Sequence, residues 1–134
     1  SKLVFEFFII KNNQMKTTTL VLGASLKEDR YSNKVIKKLK EYKQEVLAIG
    51  FQKGVVANVI IEVDSKNYTN IDTVTLYLNP KRQEIYYKYI ISLKPRRVIF
   101  NPGTENLQFI ELLQENKIES EIACTLVLLS TKQY

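Results

Sequence analysis

A chain of 134 residues, 45% apolar and 25% charged, is long enough to close one hydrophobic core unaided, and its composition excludes a disordered or coiled-coil chain. One cysteine, Cys124, and no histidine exclude a disulfide framework, a His/Cys zinc site and any catalytic arrangement built on an imidazole base. The net charge of +6 favours anionic partners, but the basic residues are spread over several helices, so phosphates fit and a nucleic acid is not demanded.

The first apolar run, Leu3 to Ile10, is interrupted by Glu6 and is much shorter than the ~20 residues of a membrane span. Lys11-Asn12-Asn13-Gln14 follows it where a secretory signal would carry a small-residue cleavage site. The expectation is a cytoplasmic protein without membrane contact. Met15 is the sole methionine and the regular pattern starts directly after it. Residues 1–14 therefore read as an upstream or non-native extension, with an added edge strand or a partner contact as the alternative. Residues 15–134 read as one domain.

From Thr17 onward, apolar strand-like runs alternate with amphipathic stretches, the pattern of βαβ crossovers and a parallel sheet. Thr19-Leu20-Val21-Leu22 is a short apolar run ending at Gly23, as a buried central strand does. Ser32 is a candidate cap for a helix with Val35, Ile36, Leu39 and Tyr42 inward and a row of lysines outward. Glu45 to Ile49 forms strand two, ending at Gly50, and Val59 to Val63 forms a short third strand after a connection too brief for a long crossover helix. Thr73 to Leu78 is the next strand. Asn79-Pro80 then supplies an N-cap and a proline at the first helical position of one helix running to Lys94-Pro95. Arg97 to Phe100 is a strand, and Thr104 is a candidate cap for a helix carrying Phe109, Ile110, Leu112 and Leu113. Ile118 to Ile122 alternates like an edge-proximal strand, and Leu126 to Leu129 is apolar but of ambiguous type.

In an open doubly wound sheet, ligands bind beyond the carboxyl ends of the strands, where the strand order reverses. Three turns meet that rule: Gly23 to Asn33, Asn79-Pro80, and Asn101 to Asn106. The first lacks the full GxGxxG dinucleotide fingerprint, having Gly23 but Ala24 and Ser25 after it. It offers the Ser25 hydroxyl, the Arg30 guanidinium and the amides at the start of the Ser32 helix, all suited to a phosphate. The plainer reading is a turn at Gly23 and a surface pairing of Arg30. After strand two, Gly50-Phe51-Gln52-Lys53-Gly54 lacks the acidic residue that holds the ribose of NAD. Lys53 suits an extra ribose phosphate, or is a free surface lysine.

Taken together, Gly23-Ala24-Ser25, Asp29-Arg30-Tyr31-Ser32-Asn33, Ile71-Asp72-Thr73-Val74 with Asn79-Pro80, Asn101-Pro102-Gly103-Thr104-Glu105-Asn106 and Glu121-Ile122-Ala123-Cys124-Thr125 resemble the small stand-alone coenzyme A-binding domain proteins. That family is similar to the N-terminal domain of the succinyl-CoA ligase α subunit. The resemblance covers about Met15 to Tyr134, and residues 1–14 have no counterpart in it. It implies a Rossmann-like three-layer α/β sandwich, with a mainly parallel five- or six-stranded sheet and helices on both faces. It also implies coenzyme A or an acyl-CoA as the cofactor. Gly23, Ala24, Ser25, Arg30, Ser32 and Asn33 would lie near the phosphates, with Gly50 and Lys53 toward the ribose phosphate. Asn79 and Pro80 would flank the adenine or the pantetheine arm, and Asn101, Pro102, Gly103, Thr104 and Glu105 would meet the rest of that arm. The chain has neither the phosphohistidine nor the partner subunit of the ligase, so ligase chemistry is not expected.

Cys124 has two readings: a thiol able to form a mixed disulfide with the cofactor's thiol, or a small buried apolar residue. The leading function is non-catalytic binding of coenzyme A or an acyl derivative, with no metal and no nucleic acid. Two alternatives stand beside it: an NADP-binding oxidoreductase-like domain, which would need a substrate domain, and a homodimerising interaction protein with a vestigial nucleotide crevice.

Overall fold

The computed structural model describes residues 17–134, so the extension expected at residues 1–14 lies outside the described residues. Thr18–Ala24 forms β1, and Leu20, Val21 and Leu22 in it are completely buried. An unbroken apolar run has this fate only where neither face of a strand meets water, and β1 is central. It pairs in parallel with β2 (Glu45–Gly50) on one side and with β5 (Thr73–Leu76) on the other. Beyond β5 lie β6 (Arg97–Phe100) and β7 (Glu119–Ile122), both parallel to their neighbours. Beyond β2 lies β4 (Val59–Glu62), also parallel.

A seventh strand, β3 (Gly54–Val56), completes the sheet as an antiparallel edge on β4, in the order β3-β4-β2-β1-β5-β6-β7. It accounts for the difference from the expected five or six strands. Ala57 and Asn58 both adopt positive φ, 49° and 65°, closing a two-residue hairpin of the type that matches strand twist. Alanine is an unusual occupant of such a turn, and three residues are a faint strand signal. The hairpin stands where a crossover helix would otherwise return the chain.

Helices cover both faces. Helix α1 (Tyr31–Glu41) buries Val35, Ile36 and Leu39 against Val21, Ala48 and Ile61, and α5 (Thr125–Ser130) adds Leu129 to the same cluster. The ambiguous segment after Cys124 is thus a helix. On the other face, α3 (Tyr87–Leu93) and α4 (Leu107–Glu115) bring Ile90, Phe109 and Leu113 onto Leu20, Leu22, Val74, Leu76, Val98 and Phe100. Each such side chain, moved from water to the core, contributes roughly 1.5–3 kcal/mol.

Two helix starts and the course of one further helix differ from expectation. Arg30, not Ser32, is the N-cap of α1; it makes no side-chain cap bond, and Ser32 is buried within the first turn. Asn106 caps α4 by accepting from the Phe109 amide at 3.2 Å, while Thr104 Oγ1 donates to the Asn101 carbonyl at 2.8 Å. The single helix expected after Asn79-Pro80 is divided into α2 (Pro80–Gln83), a 3₁₀ turn (Glu84–Tyr86) and α3. The break follows Gln83, fully buried, whose Nε2 donates to the carbonyls of Leu78 and Thr104, both at 2.8 Å. No helix among the described residues is long and apolar enough to cross a membrane.

Candidate functional site

Strand order reverses at β1, since β2 and β4 follow on one side of it and β5, β6 and β7 on the other. The loops leaving β1 and β5 therefore part in opposite directions and leave a crevice at the carboxyl edge of the sheet. It has a volume of about 580 Å³ and is lined by Gly23 to Lys27, Arg30 to Ser32, Phe51, Gln52, Tyr77 to Asn79, Arg82 and Pro102 to Thr104.

The floor begins at a bulge. The β1–β2 register shifts between Leu22 and Ala24, with Gly23 at φ 96°, a conformation open to glycine without strain. A Cβ on Gly23 would meet the Tyr77 carbonyl carbon at 2.9 Å. The bulge turns the Ala24 carbonyl toward Gly50, where a Cβ would stand 2.2 Å from that oxygen. The two glycines let β1 end in a tight turn against both neighbours.

After the turn, Ser25 Oγ accepts from the Lys27 amide at 3.1 Å and Asn33 Nδ2 donates to the Ser25 carbonyl at 2.9 Å. Arg30 closes the loop, its amide donating to the Lys27 carbonyl and its own carbonyl accepting from the amides of Asn33 and Lys34, all at 3.1 Å. The first turn of α1 thus faces the crevice with its positive dipole end, and Lys27 and Arg30 stand exposed on the same lip. Arg82 supplies a third cation from α2, which Asn79 Oδ1 caps by accepting from the Arg82 amide at 2.9 Å.

The far wall is fixed by buried amides. Gln83 joins Leu78 to Thr104, and Asn106 Nδ2 donates to Gln83 Oε1 at 2.9 Å and to the Tyr87 hydroxyl at 2.8 Å. Asn101 is fully engaged as well. Its Nδ2 donates to Thr75 Oγ1 at 2.7 Å and to the Leu76 carbonyl at 2.9 Å, and its Oδ1 accepts from the Thr125 amide at 2.9 Å. Tyr77 is among the lining residues, and burial raises its phenol well above the ordinary pKa, against opposing hydrogen bonds to the buried Thr75 and Thr125.

Of the fifteen positions singled out from the sequence, Gly23, Ala24, Ser25, Arg30, Ser32, Asn79, Pro102, Gly103 and Thr104 come together on the crevice. The other six do not line it. Asn33 fastens the loop from behind, Gly50 makes room for the Ala24 carbonyl, and Asn101 ties β5 to α5. Lys53 is exposed and lies 3.9 Å from Glu62 Oε2, while Pro80 and Glu105 are exposed beside the lining. Leu26, Lys27, Tyr31, Phe51, Gln52, Tyr77, Leu78 and Arg82 line the crevice without having been singled out. Most sit within one or two places of a named turn residue; Arg82 could have been found three places beyond the Asn79 cap, on the same helical side.

A doubly wound sheet with a cation-lined crevice at its switch point is an architecture suited to a phosphorylated small molecule. The model of the CoA binding domain family matches residues 17–130, and the chain belongs to that family. A crystal structure described as that of an uncharacterized protein is 45% identical, with a TM-score of 0.86 over 89% of this chain and 98% of that one. Similar folds recur in a Thermus thermophilus protein, 21% identical with TM-score 0.76 over 96% of this chain and 98% of that one. A hypothetical protein from Pyrococcus horikoshii OT3 is 23% identical, with TM-score 0.77 over 94% of this chain and 89% of that one. No curated protein matches the chain.

Proposed function

We propose that the chain binds coenzyme A or an acyl derivative in the crevice at the end of β1 and does no chemistry on it. The observation that carries the reading is the convergence of Lys27, Arg30 and Arg82 with the first turn of α1 on one crevice. Coenzyme A carries a diphosphate and a ribose phosphate, so its charge matches that donor set, and each charge-assisted hydrogen bond contributes roughly 1.5–3 kcal/mol. The apolar part of the lining, Leu26, Tyr77, Leu78 and Pro102, suits the less polar pantetheine arm. An NAD ribose would call for an acidic side chain at the end of β2, and Phe51 and Gln52 stand there.

Thermal unfolding with coenzyme A, acetyl-CoA, NADP, NAD and ADP in turn tests the reading. A ligand at a hundred times its Kd stabilises by about 2.7 kcal/mol, which raises the midpoint by several degrees. Coenzyme A and acetyl-CoA should produce that rise and NAD should not. A rise with NADP alone would replace this function with the oxidoreductase-like one. Arg30→Ala should remove most of the coenzyme A shift, and an undiminished shift would put the phosphates elsewhere.

A further inference from the structure

We infer that the crevice continues past its Thr104 wall onto an apolar platform, formed by Ile85 and Leu107, which takes the aliphatic chain of an acyl-CoA. This inference rests on the proposed cofactor-binding reading and adds the class of acyl group to it.

Ile85 and Leu107 are the two most exposed large apolar side chains among the described residues, 81% and 76% open to solvent. Neither packs into a core cluster. Single apolar side chains on a surface are ordinary, but these two are held near one another by a buried frame. Ile85 stands between Gln83 and Tyr87 in the chain. Asn106, directly before Leu107, donates from Nδ2 to both Gln83 Oε1 and the Tyr87 hydroxyl. The backbone under the pair is therefore fixed, while the two side chains are left without a partner in the fold.

Both also continue from residues that line the crevice. Arg82 lines it, and Ile85 follows three places on, at the passage from α2 into the 3₁₀ turn, where residues three apart share a side. Thr104 lines it three places before Leu107, and its carbonyl accepts from Gln83 Nε2 in the same frame. Beside Thr104 the wall is open: Gly103 has φ 89°, and nothing lies within 4 Å of the place a Cβ would take. Lys27 and Arg30 stand on the α1 lip, whereas Pro102, Gly103 and Thr104 carry no charge. A cofactor with its phosphates on that lip turns its pantetheine end, and the group carried there as a thioester, toward the uncharged wall.

A methylene fully removed from water contributes about fourfold to an equilibrium, and one covered on a single side about twofold. An octanoyl chain, several methylenes longer than acetyl, should therefore gain at least about tenfold in affinity.

Wild type, the double variant Ile85→Gln/Leu107→Gln and Val127→Gln are titrated by calorimetry with coenzyme A, acetyl-CoA and octanoyl-CoA. All three substituted side chains are exposed, and Val127 lies on α5, which packs on the opposite face of the sheet. Wild type and Val127→Gln should bind octanoyl-CoA at least about tenfold more tightly than acetyl-CoA. The double variant should bind the two esters within about threefold of each other and keep coenzyme A affinity within about twofold. The inference is overturned, and the binding function left standing, by any of four results: no chain-length gain in the wild type, a gain that survives in the double variant, a gain lost equally in Val127→Gln, or a double variant that loses coenzyme A as much as octanoyl-CoA. Failure of the wild type to bind any of the three ligands removes both.

Discussion

Asp72 directly precedes β5 and is held by two neighbouring side chains. Arg96 Nε donates to Asp72 Oδ1 at 3.0 Å, Arg96 Nη2 to Oδ2 at 3.1 Å, and Thr73 Oγ1 to Oδ2 at 2.7 Å. Burial by itself would raise the Asp72 pKa, but the hydrogen bonds from Arg96 and Thr73 and the charges of Arg96 and Arg97 outweigh it and hold the carboxyl below its usual value. Since the folded pKa lies under the unfolded one, the contribution is complete above about pH 4 and is lost as pH falls through the folded pKa. Asp72→Asn should therefore lower stability at neutral pH and flatten the acid limb of a Tm-against-pH curve; an unaltered acid limb would mean that other carboxylates govern it. This role was not legible in the sequence, where Asp72 marked only a family motif. Thr73 is its neighbour in the chain, and Arg96 reaches it because β5 and β6 align Thr73 with Arg97.

Among the elements, α4 shows how a helix read from its apolar spacing acquires its value through packing. Phe109 is fully buried, stacked on Tyr87 at 4.3 Å and edge-on to Phe100 at 5.9 Å. It joins α3, α4 and β6 in one cluster. Phe109→Ala should cost about 3–5 kcal/mol by chemical denaturation, and it should loosen Asn106 at the head of the same helix, and with it the Thr104 wall of the crevice. A loss under about 1 kcal/mol would mean that the cluster collapses around the gap. The central strands were legible as unbroken apolar runs bounded by turn residues, and the main helices by apolar spacing that matches the period of 3.6. Helix starts were less so. Ser32 and Thr104 were the chemically plausible caps, but the helix begins at Tyr31 with Arg30 as its N-cap, which puts Ser32 inside its first turn, and the Thr104 hydroxyl is taken by the Asn101 carbonyl.

At the scale of the whole molecule, one edge of the sheet carries the crevice, and its three lining cations, Lys27, Arg30 and Arg82, lie in the segments that follow two different strands. The net charge of +6 adds a long-range attraction for an anionic ligand. Raising salt from 0.1 to 1 M shortens the screening length from about 10 to about 3 Å, so coenzyme A affinity should fall several-fold, and phosphopantetheine, with fewer charges, should lose less. Calorimetric titrations across that range check this, and a salt-independent Kd would show that the apolar wall dominates binding.

By itself the sequence determined the alternation of strands and helices, the glycine turn after β1, the absence of an acidic ribose partner after β2, and a family resemblance that the match over residues 17–130 bears out. These are local properties, set by apolar spacing, backbone freedom and side-chain charge at neighbouring positions. Only the tertiary structure decided that Asn101 turns inward, that Lys53 stands by Glu62, and that Phe51 meets Arg82. Each depends on which strands lie side by side, and that order is fixed by how the whole sheet buries its two faces. The turn at Gly23 was visible from the start; the ring and guanidinium that bridge above it exist only once β2, β1 and β5 are neighbours.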